Sequence, residues 1–67
     1  MKISYNKLWK LLIDKNMKRK DLQEAACISS ASIAKLGKGD NITTDVLLRI
    51  CDALDCTLED IMETIKD

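Results

Sequence analysis

The side chains of this 67-residue sequence that could carry out chemistry are three cysteines, an acidic run, and a group of lysines and serines. Cys27, Cys51 and Cys56 are odd in number and fit neither a disulfide framework nor a CxxC redox pair. Because the chain has no histidine, a tetrahedral zinc site would lack a fourth good ligand. The sequence therefore predicts reduced, buried thiols that pack as small apolar residues, as in a reducing cytoplasm.

The acidic residues near the end of the chain do not have the spacing of a calcium-binding loop. The chain also lacks a catalytic triad and a glycine-rich loop for phosphate. The sequence therefore predicts a solvated acidic face, and no enzyme, metal site or cofactor. The members of the run are Asp52, Asp55, Glu59, Asp60 and Glu63.

Charge is unevenly distributed along the chain, although the net charge is zero. Residues 1–39 carry nine basic and three acidic side chains, a net charge of +6, whereas residues 40–67 carry two basic and eight acidic ones, a net charge of −6. This pattern predicts a basic face for a polyanion and an acidic face for solvent or a protein partner. The alternative is that short amphipathic helices carry uneven charge without any partner.

The pattern of residues 27–41, CISSASIAKLGKGDN, predicts a helix with short side chains on one side. If this helix packs inward through Ile33 and Leu36, the side chains that project outward are Ser30, Ala31, Ala34 and Lys35. Serine can donate or accept a hydrogen bond, an alanine methyl can contact the thymine methyl, and lysine can bond to guanine. The alternative is a small polar face that is merely solvated.

The elements that would position these residues are five short helices, with no confident strand and no membrane-spanning or signal segment. Helix 1 runs from about Tyr5 to Lys15, with Asn16 as a left-handed stop. Helix 2 runs from about Arg19 to Ala26. Helix 3 begins after its cap, Ser29, and ends near Lys38 with Gly39 as the stop. Helix 4 begins after Thr43, and helix 5 begins at about Thr57 with Leu58, Ile61 and Ile65 on its buried side.

Only about three residues separate helices 2 and 3, and so short a connection predicts a helix-turn-helix. Residues 17–39, MKRKDLQEAACISSASIAKLGKG, resemble the helix-turn-helix of the phage repressor and Cro class, the Xre-like bacterial regulators. The resemblance continues through TTDVLLRICDALDCTLEDI, which is similar to the fourth and fifth helices of that family.

This resemblance implies one all-α domain over residues 1–67, a compact five-helix fold of the lambda-repressor-like type. It implies a cytoplasmic transcriptional regulator, expected to be a repressor, that binds double-stranded DNA as a homodimer through residues 30–38. Position by position, it assigns base reading to Ser30, Ala31 and Lys35. It assigns phosphate contacts to Arg19, Lys18, Lys38, Asn41 and Thr43.

The sequence departs from the family pattern at several positions. Cys27 occupies the place of the turn glycine, so this turn must tolerate a side chain. Gln23 replaces a packed alanine, Gly37 and Lys38 replace a Glu-Asn pair, and Ile42 replaces a proline. Lys38 adds a charge for phosphate, and Ala31 leaves fewer hydrogen-bonding side chains to read bases than glutamine-rich relatives have.

A different function stays open, that of an antitoxin-like or accessory protein-interaction module whose acidic helices 4 and 5 bind a basic partner. The near-zero net charge favours it, because strong DNA-binding domains are usually basic. Trp9, Leu12 and Ile13, or Met62 and Ile65, could form a dimer contact. The alternative is that each of these side chains packs in the core.

Overall fold

The computed structural model describes residues 1–66, and over this range it has four α-helices, one 3₁₀ turn and two short strands. In chain order these are β1 (Lys2–Ser4), α1 (Asn6–Asp14), α2 (Arg19–Ala26), α3 (Ser30–Lys38), α4 (Thr44–Leu54), the 3₁₀ turn (Leu58–Asp60) and β2 (Glu63–Ile65). The first four predicted helices are confirmed. No helix in this part of the chain is long and apolar enough to cross a membrane.

The helices begin and end where short-range hydrogen bonds favour it. At the starts of α3 and α4, the hydroxyls of Ser29 and Thr43 each accept a hydrogen bond from the backbone N–H three residues later, at 3.1 Å and 3.4 Å. Such caps satisfy an amide that the first turn leaves free. Asn16 after α1 and Gly39 after α3 adopt the left-handed backbone, with φ of 58° and 76°, which stops each helix.

One hydrophobic core joins all four helices. Helices α2 and α4 pack against each other at its centre, α1 and α3 cover it, and the chain after the 3₁₀ turn closes it. Burial of this apolar surface is the main source of stability for so small a fold, and it fixes the direction in which α3 presents its other face. The buried residues are Tyr5, Leu8, Leu12, Leu22, Ala26, Leu36, Leu47, Ile50, Cys51, Leu54 and Ile61.

The predicted fifth helix is wrong. The segment makes one 3₁₀ turn and then a strand, and only Ile61 of its predicted buried side is inside the core, whereas Leu58 and Ile65 are 39% and 37% exposed. Asp60 accepts hydrogen bonds from the amide and hydroxyl of Thr57, at 3.0 Å and 3.1 Å, which holds the pKa of its carboxyl below the ordinary value. This cap starts a turn as readily as a helix.

The turn does not continue as a helix because the residues after it pair with a strand near the start of the sequence. Strand β2 pairs antiparallel with β1, with Lys2 opposite Ile65 and Ser4 opposite Glu63. The ladder supplies backbone hydrogen bonds that another helical turn would otherwise have to provide.

The three cysteines are free thiols in different environments, so the prediction of three buried thiols is wrong for Cys27. Cys27 is exposed because it lies in the turn between α2 and α3, where its thiol donates to the backbone carbonyl of Glu24 at 3.8 Å. Cys51 is buried and Cys56 is half-buried. Burial, together with the neighbouring thiol of Cys51, raises the pKa of Cys56 from 9.0 to about 11.

Iodoacetamide at about pH 8 should therefore modify Cys27 at least tenfold faster than the other two thiols, because alkylation needs both access and the thiolate. Mass spectrometry of the intact protein over time would show one fast addition, and none after Cys27→Ser. In concentrated urea all three thiols should react together. Two fast additions in the native Cys27→Ser protein would contradict the environments given to Cys51 and Cys56.

Candidate nucleic-acid interface

Residues 27–29 connect α2 to α3 in a tight turn. The amides of Cys27 and Ile28 donate to the carbonyls of Glu24 and Gln23, at 3.4 Å and 3.2 Å, which is the Schellman pattern of a helix end. Cys27 has φ of 55°, a left-handed backbone that is uncommon for a residue with a side chain. The turn thus tolerates a side chain in the left-handed backbone, as the sequence predicts for Cys27.

This turn is fixed to the rest of the fold by Arg49 of α4. Its Nη1 donates to the carbonyl of Cys27 at 3.3 Å, and its Nε donates to a carboxylate oxygen of Asp45 at 3.1 Å. A hydrogen bond from the guanidinium satisfies a carbonyl that the end of α2 leaves free. The angle between α2 and α3 is therefore supported from α4 as well as by packing.

Helix α3 has an inward face and an outward face. Leu36 is 1% exposed and Ile33 is half-buried against the core, which confirms the predicted inward face. Ser30, Ala31 and Lys35 are exposed. Ala31 and Lys35 share one face of the helix because they are four positions apart, and Ser30 precedes Ala31 at the start of the helix. The outward face is therefore made of two short side chains and one long cation.

The side chains predicted to contact phosphate are all exposed and lie at the ends of helices. Lys18 and Arg19 are at the start of α2, and Lys38 ends α3. Asn41 follows in the connection to α4, and Thr43 caps α4. The structure thus places exposed cations at the start of α2 and at the end of α3. The Thr43 hydroxyl already accepts a bond within its own helix.

Arg19 is held by residues from two other helices. Its guanidinium carbon lies 4.4 Å from the centroid of the Trp9 ring in α1. On α3, a Cβ added to Gly37 would lie 2.9 Å from Nη1 of Arg19. The sequence interpretation missed both neighbours, since it considered Trp9 only for the core or a dimer and Gly37 only as a departure from the family pattern.

The surfaces predicted for protein partners are also partly exposed. Leu48 of α4 is 59% exposed and shares a shallow groove with Asp45 and Asp52. Among the predicted dimer residues, Ile13 is 77% exposed, but Leu12 is only 3% exposed and belongs to the core. Trp9 and Met62 are half-buried against that core, and Ile65 is partly exposed in β2.

Comparison with known proteins agrees with this geometry. Residues 7–67 match the family model of the Cro/C1-type HTH DNA-binding domain, and the chain belongs to that family. A crystal structure of the transcriptional regulator VanUg is similar over 98% of this chain and 88% of its own, with 50% sequence identity and a TM-score of 0.94. Comparison with curated proteins gives no significant match. The resemblance found in the sequence is confirmed.

Proposed function

We propose that this protein is a transcriptional regulator that binds duplex DNA by inserting α3 into the major groove, and that it acts as a repressor. The observation that carries the proposal is the outward face of α3, which combines short side chains with Lys35 and is flanked by exposed cations. Short side chains let the helix approach the base edges, and the flanking cations neutralise phosphates. The 50% sequence identity to VanUg, which is named a transcriptional regulator, supports a role in regulation.

Each exposed residue then has a role set by its chemistry. Ser30, Ala31 and Lys35 read bases, because they lie on the groove side of α3. Arg19 binds phosphate through its planar set of donors. Position on the duplex comes from these phosphate contacts, and sequence preference comes from the base contacts. The remaining phosphate-binding residues are Lys18, Lys38, Asn41 and Thr43.

The proposal includes a homodimer and no catalytic step. Three reading residues specify only a handful of base pairs, and two copies on a two-fold symmetric site double that number. Ile13 and Ile65 are apolar and exposed enough to contact a second copy. We treat residues 1–66 as one folding unit because a single core joins their helices.

A second candidate function is binding of a basic protein partner by α4. Leu48 favours it, because it is a large apolar residue that is 59% exposed in a groove with Asp52 and Asp55. In the same groove Arg49 is paired with Asp45. Such a partner would bind opposite charge and an apolar anchor together. This function needs no DNA, so the two candidates are separable by experiment.

The test is selection from a random duplex library with the purified protein at two salt concentrations, followed by sequencing of the retained DNA. Enrichment of a two-fold symmetric motif, with retention that falls steeply as salt rises, supports the dimeric regulator. Absence of retention even at low salt would reject DNA binding and favour the protein partner of α4.

Substitution of Arg19 by alanine should weaken binding to every duplex. Loss of one phosphate contact should also reduce the slope of log K against log salt concentration by about 0.9. Fluorescence anisotropy with a labelled duplex at several salt concentrations measures both. Lys10→Ala is the matched control, because Lys10 is exposed but lies in a groove with Asp14, Glu59 and Asp60. An unchanged slope for the Arg19 variant would remove Arg19 from the interface.

A further inference from the structure

Three helices contribute to the position of the Arg19 guanidinium. The Trp9 ring of α1 lies beneath it, with 4.4 Å between the guanidinium carbon and the ring centroid. Gly37 of α3 lies against it, since an added Cβ would be 2.9 Å from Nη1 and 3.6 Å from Cζ. We call Trp9 and Gly37 together the arginine seat.

The arginine seat leaves the donors of Arg19 unused. Within the described residues 1–66, no carboxylate or carbonyl accepts a hydrogen bond from this guanidinium, and no ion pair includes it. Stacking on an aromatic ring uses the face of the guanidinium and leaves its N–H groups free in the plane. Such a planar set of free donors matches two oxygens of a phosphate.

We infer that Trp9 and Gly37 are positioning residues, which hold Arg19 in the orientation in which it binds a DNA phosphate; this inference rests on the proposed function. A free arginine side chain loses rotamer freedom when it binds, and that loss weakens the contact. An arginine already held between a ring and a backbone loses less. The arginine seat thereby raises the affinity contributed by one phosphate contact.

Gly37 is the more informative of the two residues. Glycine inside a helix is unfavourable relative to alanine, so α3 as a helix gains nothing from it. What glycine provides here is space, because any side chain would meet the guanidinium of Arg19. Since that guanidinium is the end of a flexible side chain, Gly37→Ala should displace Arg19 while leaving the fold intact.

The first measurement uses no DNA. Trp9 is the sole tryptophan of the chain, so its fluorescence emission and its quenching by acrylamide report on the arginine seat. Arg19→Ala and Gly37→Ala should both change the emission, whereas Lys20→Ala should not, because Lys20 is an exposed neighbour in α2 without a ring contact. Emission identical to that of the unaltered protein in both variants would show that the seat does not form.

The second measurement is binding to a duplex at low salt. Gly37→Ala should weaken binding about tenfold, as expected for a lost charge-assisted hydrogen bond, while its melting temperature stays the same or rises. Combined with Arg19→Ala it should cause no further loss. Trp9→Leu should weaken binding to a similar degree, and Trp9→Phe should restore most of it because a ring face is present again.

Failure of this inference and failure of the proposed function look different. Gly37→Ala that binds as tightly as the unaltered protein, while Arg19→Ala binds weakly, would overturn the positioning role and leave DNA binding in place. Absence of DNA binding by the unaltered protein would overturn the proposed function, and with it the use of the arginine seat for phosphate. The fluorescence result would then still report whether Arg19 is stacked on Trp9.

Discussion

Ile50→Ala should remove a large part of the unfolding free energy of this protein. Ile50 is fully buried in α4 within the core that α2 and α4 share, so truncation removes buried methylenes and opens a cavity. Such a change costs about 2 to 5 kcal/mol of unfolding free energy. The total unfolding free energy of a chain of this length is about 3 to 10 kcal/mol. Urea titration followed by circular dichroism measures the loss.

Leu48→Ala is the matched control for that experiment. Leu48 is in the same helix but is 59% exposed, so the same truncation should change the unfolding free energy by less than about 0.5 kcal/mol. Unfolding of the unaltered protein should be a single cooperative transition, as expected of one core. Equal losses from the two variants would mean that the buried and exposed faces of α4 are wrongly assigned.

Lys35→Ala should weaken specific DNA binding by about 1 to 3 kcal/mol and relax the preference at one base pair. Lys35 is exposed on the outward face of α3, one turn beyond Ala31, where a long cation can reach a guanine edge. Anisotropy titrations with the selected duplex, with single-base variants of it and with a random duplex measure the effect. The loss should be largest on the selected duplex.

Lys10→Ala again supplies the control. It removes an equal charge, but from a groove between α1 and the 3₁₀ turn and not from α3. It should leave the affinity for the selected duplex and the base preferences unchanged. If Lys35→Ala instead weakens binding to all duplexes equally, Lys35 contacts phosphate and the base-reading assignment is wrong.

Much of the helical part of the fold could be predicted because its causes are local. Ser29 and Thr43 cap helices through hydrogen bonds that span three residues, and Asn16 and Gly39 stop helices through their own backbone angles. Signals of this kind are present in any short window of the sequence. The inward side of α3 could also be predicted, because Ile33 and Leu36 are three positions apart and so lie on one face of the helix.

What could not be predicted depends on pairs of segments far apart in the chain. Strands of three residues are too short to show an alternating pattern, and β2 forms only because β1 lies beside it. The capping signal at Thr57 therefore predicted a helix where a single turn exists. The arginine seat has the same origin, because Trp9, Arg19 and Gly37 come from three different helices and only folding brings them together.

The pairing of β1 with β2 places residues from distant parts of the sequence beside the same end of α3. Lys2 and Ile65 are opposite each other in the two strands, and both line one groove with Lys38 and Gly39 at the end of α3. A label attached at Lys2 or at Ile65 therefore lies next to the surface proposed for DNA. A reporter for binding studies is better joined at the exposed end of α1, around Asp14 and Lys15, than at either strand.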